Sequence, residues 1–227
     1  MRDRPTSVML FAAGFGTRMK HLTANQPKPL VQVSGKALID HTLDIARDVQ
    51  PETILANLHY LPEMLIQHLE GSEVKTIVET PDILETGGGL RNALPVLGDG
   101  PIITMNTDAI WKGPNPVQMA LDAWKPDQMD ALLVCVPVPQ TVGYAGSGDF
   151  EIDAQGRLSR GNGAVYGGVQ IIKTDRLEAI SETSFSLNVL WNQMLKDQRL
   201  FGLNYTGKWC DVGHPGGVKL AEDMLDV

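Results

Sequence analysis

The chain has 227 residues, of which 43% are hydrophobic and 20% charged, and its net charge is −8. That is enough apolar material for one α/β domain over residues 1–227, and an acidic balance of this size argues against nucleic acid as a partner. No run approaches the ~18 apolar residues of a membrane span, and the opening MRDRPTSV has no signal-peptide hydrophobic stretch, so a cytoplasmic protein with no membrane partner is expected.

Charge is unevenly placed. Residues 1–36 carry Arg2, Arg4, Arg18, Lys20, Lys28 and Lys36 against Asp3 alone, a local +5, which leaves −13 for the remainder. A basic opening on an acidic chain suits a small anion held at one place. Val8 to Ala13 is a short apolar run that breaks at Gly14, which predicts a buried strand feeding a tight turn. Gly14 and Gly16 let the backbone approach a bulky anion and present N–H groups to it. Arg18 offers a planar fork of donors and Lys28 a point charge, both suited to phosphate oxygens. Pro27 and Pro29 flank Lys28 and rule out a long regular helix there, so the lysine arrives on a shaped loop. The spacing lacks the Gly-Lys-Ser/Thr of a P-loop, and Met19 stands where a dinucleotide fingerprint needs its third glycine.

Further along, the pattern predicts a helix over Ala37 to Val49, a strand over Thr53 to Leu58, a helix from Pro62 to Glu70 and a strand over Val74 to Val78. This alternation argues for a parallel sheet with helices on its faces. Gly87, Gly88 and Gly89 follow, with a short helix expected from about Gly89 to Leu94; three glycines permit close approach of a flat ligand such as a base. Ile102 to Met105 is a strand ending in Asn106-Thr107-Asp108, and a carboxylate at that edge is well placed to hold a magnesium ion against phosphates. A helix over Pro116 to Trp124 and a strand over Ala131 to Val136 precede a loose, glycine-rich stretch from Pro137 to Gly163. A hairpin is expected within that stretch, around Phe150 and Leu158, and it reads equally as the wall of a pocket or as a poorly ordered insertion. Ala164 to Ile172 is a strand containing Gly167 and Gly168, which mark close approach of a ligand or of another backbone. Ser186 caps a helix over Leu187 to Lys196, Leu200 to Tyr205 is a strand, Asp211 ends a short one, and Pro215 to Leu225 forms a final helix. Cys135 lies in an apolar run and reads as a core residue, and neither it nor Cys210 belongs to a metal-type or redox-type pair.

AAGFGTRM followed by PKPL resembles the signature of the nucleoside-triphosphate transferases that make nucleotide sugars. Glu85-Thr86-Gly87 resembles that family's nucleobase segment, and Trp209-Cys210-Asp211-Val212-Gly213 resembles its late Trp-x-Asp-x-Gly. The resemblance runs from Val8 to about Leu225. It implies a Rossmann-like three-layer sandwich with a mostly parallel central sheet, GT-A-like in kind. It also implies nucleotide contacts at Ala12, Ala13, Gly14, Gly16, Thr17, Glu85, Thr86 and Gly87, and sugar contacts at Asn106, Gly167 and Gly168. Arg18 and Lys28 take the catalytic positions, and Mg²⁺ falls between Asp108 and Asp211.

The implied partners are a nucleoside triphosphate and a sugar 1-phosphate, in a monomer or small homo-oligomer. Within the family the chain is similar to short uridylyltransferases acting on N-acetylmuramate 1-phosphate. A guanylyl- or cytidylyltransferase acting on mannose 1-phosphate or phosphocholine is the rival reading, and a non-catalytic nucleotide-sugar sensor is another. Two departures stand out: the family usually has Gly-Asp where this chain has Thr107-Asp108, and the Glu-Lys-Pro element whose lysine grips the sugar phosphate in larger members is missing.

Overall fold

The computed structural model describes residues 3–226. The first strand, β1 (Ser7–Phe11), leads into a turn and two short 3₁₀ segments, Thr17–Thr23 and Lys28–Leu30. A small hairpin follows, β2 (Gln32–Val33) and β3 (Lys36–Ala37), turning at Ser34 and Gly35, both with positive φ. Then come α1 (Leu38–Asp48), β4 (Thr53–Leu58), α2 (Pro62–Leu69), β5 (Lys75–Val78) and α3 (Glu85–Leu97). Proline opens α2 at its first position, where its missing N–H costs nothing. Beyond α3 lie β6 (Ile102–Asn106), β7 (Ala109–Lys112), α4 (Pro116–Ala123), β8 (Ala131–Pro137), β9 (Thr141–Val142), β10 (Phe150–Ile152), β11 (Leu158–Arg160) and β12 (Ala164–Ile172). The chain closes with α5 (Asn188–Lys196), β13 (Leu200–Asn204), β14 (Lys208–Asp211) and α6 (Pro215–Asp226). The helix predicted from Gly89 starts four residues earlier, at Glu85, and continues to Leu97. The loose stretch is partly ordered: β10 and β11 form the hairpin, and β10 joins the sheet at β12.

The main run of the sheet is β5–β4–β1–β6–β12–β8–β13. β1, β4, β5 and β6 are mutually parallel, β12 runs against β6 and β8, and β13 is parallel to β8, so β12 alone is reversed. Both faces of β1 are buried, as a central strand of a three-layer sandwich requires. Val8 and Leu10 pack with Ile39 and Leu43 of α1, Leu65 of α2 and Val117 of α4. Met9 packs on the opposite face with Leu90 and Ala93 of α3 and Leu190 and Met194 of α5.

A third, smaller core decides where the functional loops sit. Met19, Val31, Val33 and Leu38 from the early segment meet Ile110, Cys210 and Val212, and Ala221 and Met224 of α6 cover them. α6 thus clamps the chain on both sides of Lys28 against β7 and β14. Cys135 and Cys210 are buried free thiols, each raised by burial to about 12. No helix among the described residues is long and apolar enough to cross a membrane.

At the far end of the sheet, buried Asp130 accepts hydrogen bonds from Lys173, Arg176 and Arg199. Burial opposes its ionisation, but the bonds from Arg199 and Lys173 outweigh this and hold the carboxyl below its ordinary value. Because its folded-state pKa is lowered, its stabilisation is whole above the unfolded value near ~3.9 and is lost as pH falls through the folded value. Asp130→Asn should therefore lower the unfolding free energy at pH 7 by about 2 kcal/mol. In urea titrations that deficit should shrink under strong acid.

Candidate active site

The cleft lies at the carboxyl ends of β1 and β6, where ligands settle in open parallel sheets. It has a volume of about 300 Å³. Its floor is the glycine turn: Ala12, Ala13, Gly14, Gly16, Thr17 and Arg18 all line it. An added Cβ at Gly14 would meet nothing within 4 Å, so the space above that residue is open. Gly16 serves a different purpose. Its φ is +63°, and a Cβ there would stand 2.8 Å from Cβ of Lys28. The turn is built so that Lys28 can pass beneath it. Thr23 donates its hydroxyl to the Gly16 carbonyl at 3.0 Å, and Lys20 bends the 3₁₀ segment with φ 54° and ψ −121°. The regular helix that the prolines disfavour is absent.

Lys28 is only 8% exposed, and its ammonium donates to Oδ2 of Asp108 at 2.8 Å. Asp108 stands just past β6 and lines the cleft. Asp211 reaches the same place through strand pairing: it is registered against Ala109 in the β14–β7 ladder, and the Val212 N–H donates to the Asp108 carbonyl at 3.0 Å. Gly213 packs between Asp211 and Arg18; a Cβ there would lie 3.0 Å from both carboxylate oxygens and 3.2 Å from an Arg18 Nη. Burial raises the Asp211 carboxyl above its ordinary value, and the Asp108 charge adds to this; Lys28, Arg18 and His214 pull the other way. Three stretches far apart in sequence thus bring two carboxylates and two cations to one spot.

Among the described residues there is no group of three or more His, Cys, Asp or Glu able to hold a metal. A pair of hard oxygen donors is nonetheless suited to a divalent cation that takes its other ligands from substrate and water.

The opposite wall carries Glu85 and Thr86. Glu85 holds φ +57°, uncommon for a residue other than glycine. Thr86 Oγ1 accepts the Leu187 N–H at 3.0 Å. The glycine triplet behind them packs against the protein's own chain. Added Cβ atoms would stand 2.4 Å from the Phe185 ring at Gly87, 2.5 Å from the Thr183 carbonyl at Gly88 and 2.6 Å from the Glu79 carboxylate at Gly89. The close approach is made by the protein's own chain, and the Gly87 N–H is donated to the Phe185 carbonyl.

Gly167 and Gly168 are likewise absent from the cleft surface, contrary to the expectation of a sugar contact. They form the irregularity between Tyr166 and Val169 in the β12–β8 ladder. Gly167 makes room for the Trp111 ring, 2.6 Å from its Cβ position, and Gly168, with φ +98°, makes room for Asn106. Asn106 itself lines the cleft and also a second cavity of about 260 Å³, which shares Phe11 and Thr86 with the first. Thr107, the departure from Gly-Asp, turns inward and donates its hydroxyl to the Phe11 carbonyl at 2.8 Å. The extra side chain therefore ties β6 to β1.

Two cleft residues escape a pattern-based reading, Asn57 and Glu79. Asn57 accepts the Ala12 N–H at 3.0 Å and donates to Glu79 at 2.7 Å, and Glu79 accepts the Leu84 N–H at 2.8 Å. This relay joins the start of the glycine turn to the start of α3. The one sequence signal was a polar residue inside the otherwise apolar run of β4.

A glycine turn, a buried lysine and paired aspartates at the carboxyl edge of a mostly parallel sheet make a site suited to nucleotide phosphates. Residues 8–150 match the MobA-like NTP transferase domain, and the chain belongs to that family. It is 36% identical to the N-acetylmuramate alpha-1-phosphate uridylyltransferase of Caulobacter vibrioides, over 99% of both chains. It is 29% identical to the enzyme of the same name from Neisseria meningitidis serogroup B, over 95% of this chain and 96% of that one. The mannose-1-phosphate guanylyltransferase catalytic subunit beta of Dictyostelium discoideum is 26% identical over 91% of this chain and 61% of its own length. In fold, a putative glucose-1-phosphate thymidylyltransferase from Bacillus anthracis superposes with a TM-score of 0.80 at 15% identity, over 96% of this chain and 94% of that one.

Gly16→Ala should keep the fold but push Lys28 off its station, reducing turnover at least tenfold, roughly the scale of losing one charge-assisted hydrogen bond. Steady-state rates with circular dichroism as the folding control would check this.

Proposed function

We propose that the protein transfers UMP from UTP to N-acetylmuramate 1-phosphate and releases pyrophosphate. The observation that carries the chemistry is the convergence of Lys28, Arg18, Asp108 and Asp211 on the glycine turn. Full-length similarity to two uridylyltransferases acting on that sugar phosphate supports the choice of substrates. An acceptor phosphate oxygen attacks the α-phosphorus in line; the new O–P bond forms as the bond to the β-phosphate oxygen breaks, and its electron pair leaves with pyrophosphate. No general base is required, because the attacking phosphate is already ionised near neutral pH.

The chain's work is positioning and charge neutralisation. Gly14, Gly16 and Thr17 wrap the triphosphate, Arg18 offsets the charge that builds on the departing pyrophosphate, and Lys28 holds the α-phosphate side. Glu85 and Thr86 border the base, and Asn106 faces the acceptor. Asp108 and Asp211 would hold Mg²⁺, which when bound supplies charge neutralisation between the two phosphate groups. Lys28, paired with Asp108, sits where it can pass from carboxylate to phosphate as substrate arrives.

Lys28→Ala and Asp108→Asn should each reduce turnover by about a hundredfold or more, the scale of removing a key electrostatic group. Pyrophosphate release from a panel of triphosphates crossed with sugar 1-phosphates and phosphocholine tests the substrates. Preference for GTP with mannose 1-phosphate would replace this reading with the guanylyl one, and nucleotide binding without any product would leave a sensor. Removing divalent ions with EDTA should abolish turnover, and Mg²⁺ should restore it.

A further inference from the structure

The second cavity carries a cation, Arg160, that is ion-paired to no carboxylate among the described residues. Arg160, the last residue of β11, lines it together with Asn188 of α5 and Tyr166 of β12. The guanidinium lies over the Phe150 ring, 4.7 Å from its centroid, across the β10–β11 ladder. One Nη donates to Oδ1 of Asn188 at 2.7 Å and to Oδ1 of Asn192 at 2.9 Å. Those asparagines stand at i and i+4 on α5, so both amide oxygens face the same nitrogen. The group is thus held in one orientation by two neutral acceptors and an aromatic face, while its other donors stay free.

Arg160 forms no ion pair with any described carboxylate. Asp149 also lines the cavity; it makes no ion pair with Arg160, and one of its carboxylate oxygens accepts the Tyr166 N–H at 2.9 Å. A planar donor fork, oriented in advance and with no ion-pair partner among the described residues, is suited to an oxyanion. The cavity meets the main cleft at Phe11, Thr86 and Asn106, whereas the cations of the reaction centre, Lys28 and Arg18, line only the main cleft. An acceptor whose phosphate points to Asp108 and whose sugar fills the second cavity presents to Arg160 a group remote from the reacting phosphate.

We infer that Arg160 is a specificity-determining residue that binds a carboxylate carried by the acceptor sugar and so selects acidic sugar 1-phosphates over neutral ones. This rests on the acceptor reading given under Proposed function and deepens it. N-acetylmuramate 1-phosphate carries such a carboxylate on its lactyl ether, and N-acetylglucosamine 1-phosphate lacks that ether and its charge.

The test compares these two acceptors, with UTP, in the unaltered protein and in Arg160→Gln, with thermal melts as the folding control. The unaltered protein should favour the acidic sugar. Arg160→Gln should collapse the ratio of kcat/KM values toward one, a loss of roughly tenfold to a hundredfold, the scale of a hydrogen bond between charged groups. The loss should appear in the acceptor KM more than in kcat, and Arg160→Lys should recover part of it. An equal fall for both acceptors would mean that Arg160 grips the phosphate, and would overturn the inference. A preference for the acidic sugar that survives in Arg160→Gln would overturn this inference alone. An unaltered protein with no such preference would overturn the acceptor reading along with it.

Discussion

The contact on which the rest depends is the one between the Lys28 ammonium and the Asp108 carboxylate. Two aspartates brought together at a strand edge repel each other, and burial at Asp211 sharpens the conflict. A lysine that is 8% exposed has its own desolvation to offset. Placing the lysine against one aspartate relieves both costs. Much of the surrounding architecture serves that contact. Gly16 clears the path of the lysine, the two prolines shape its loop, and α6 presses the loop against the strand that carries Asp211.

Glycine has two distinct uses in this molecule. At Gly14 the absent side chain leaves open space over the cleft floor. At Gly87, Gly88, Gly89, Gly167 and Gly168 the space is already filled by Phe185, Thr183, Glu79, Trp111 and Asn106. The second group acts on the site indirectly. The triplet lets α3 settle onto the Thr183–Phe185 segment, which fixes Glu85 and Thr86 at the cleft wall, and Gly168 lets Asn106 take its position between the two cavities. Close approach is what a glycine signals, and whether the approaching partner is ligand or protein depends on packing that no local pattern encodes.

In the proposed reading, the join between the cleft and the second cavity would link reaction and selection. Phe11 and Asn106, at the ends of β1 and β6, and Thr86 of α3 line both. Arg160 stands on the opposite wall, carried by the hairpin of the stretch that reads as loose in sequence. That hairpin is ordered because Phe150 is buried in the core beside Trp191 and because β10 continues the sheet.

Periodicity alone was enough for most elements: β4 and β12 fall on their predicted residues, and the early alternation of strands and helices is the parallel half of the sheet. These elements are legible because burial of one or two faces writes a repeat of 2 or 3.6 into adjacent residues. The glycine turn, Arg18 and Lys28 are legible for a similar reason, since all lie within one short stretch. The meeting of Asp108 with Asp211 belongs to the β7–β14 pairing. The inward turn of Thr107, the Asn57–Glu79 relay and the unpaired charge of Arg160 belong to contacts between segments 22 to more than 90 residues apart. A sequence records which side chains are available; which of them face each other across a cleft is set by strand register and helix packing, and these exist only once the whole chain has closed around its cores.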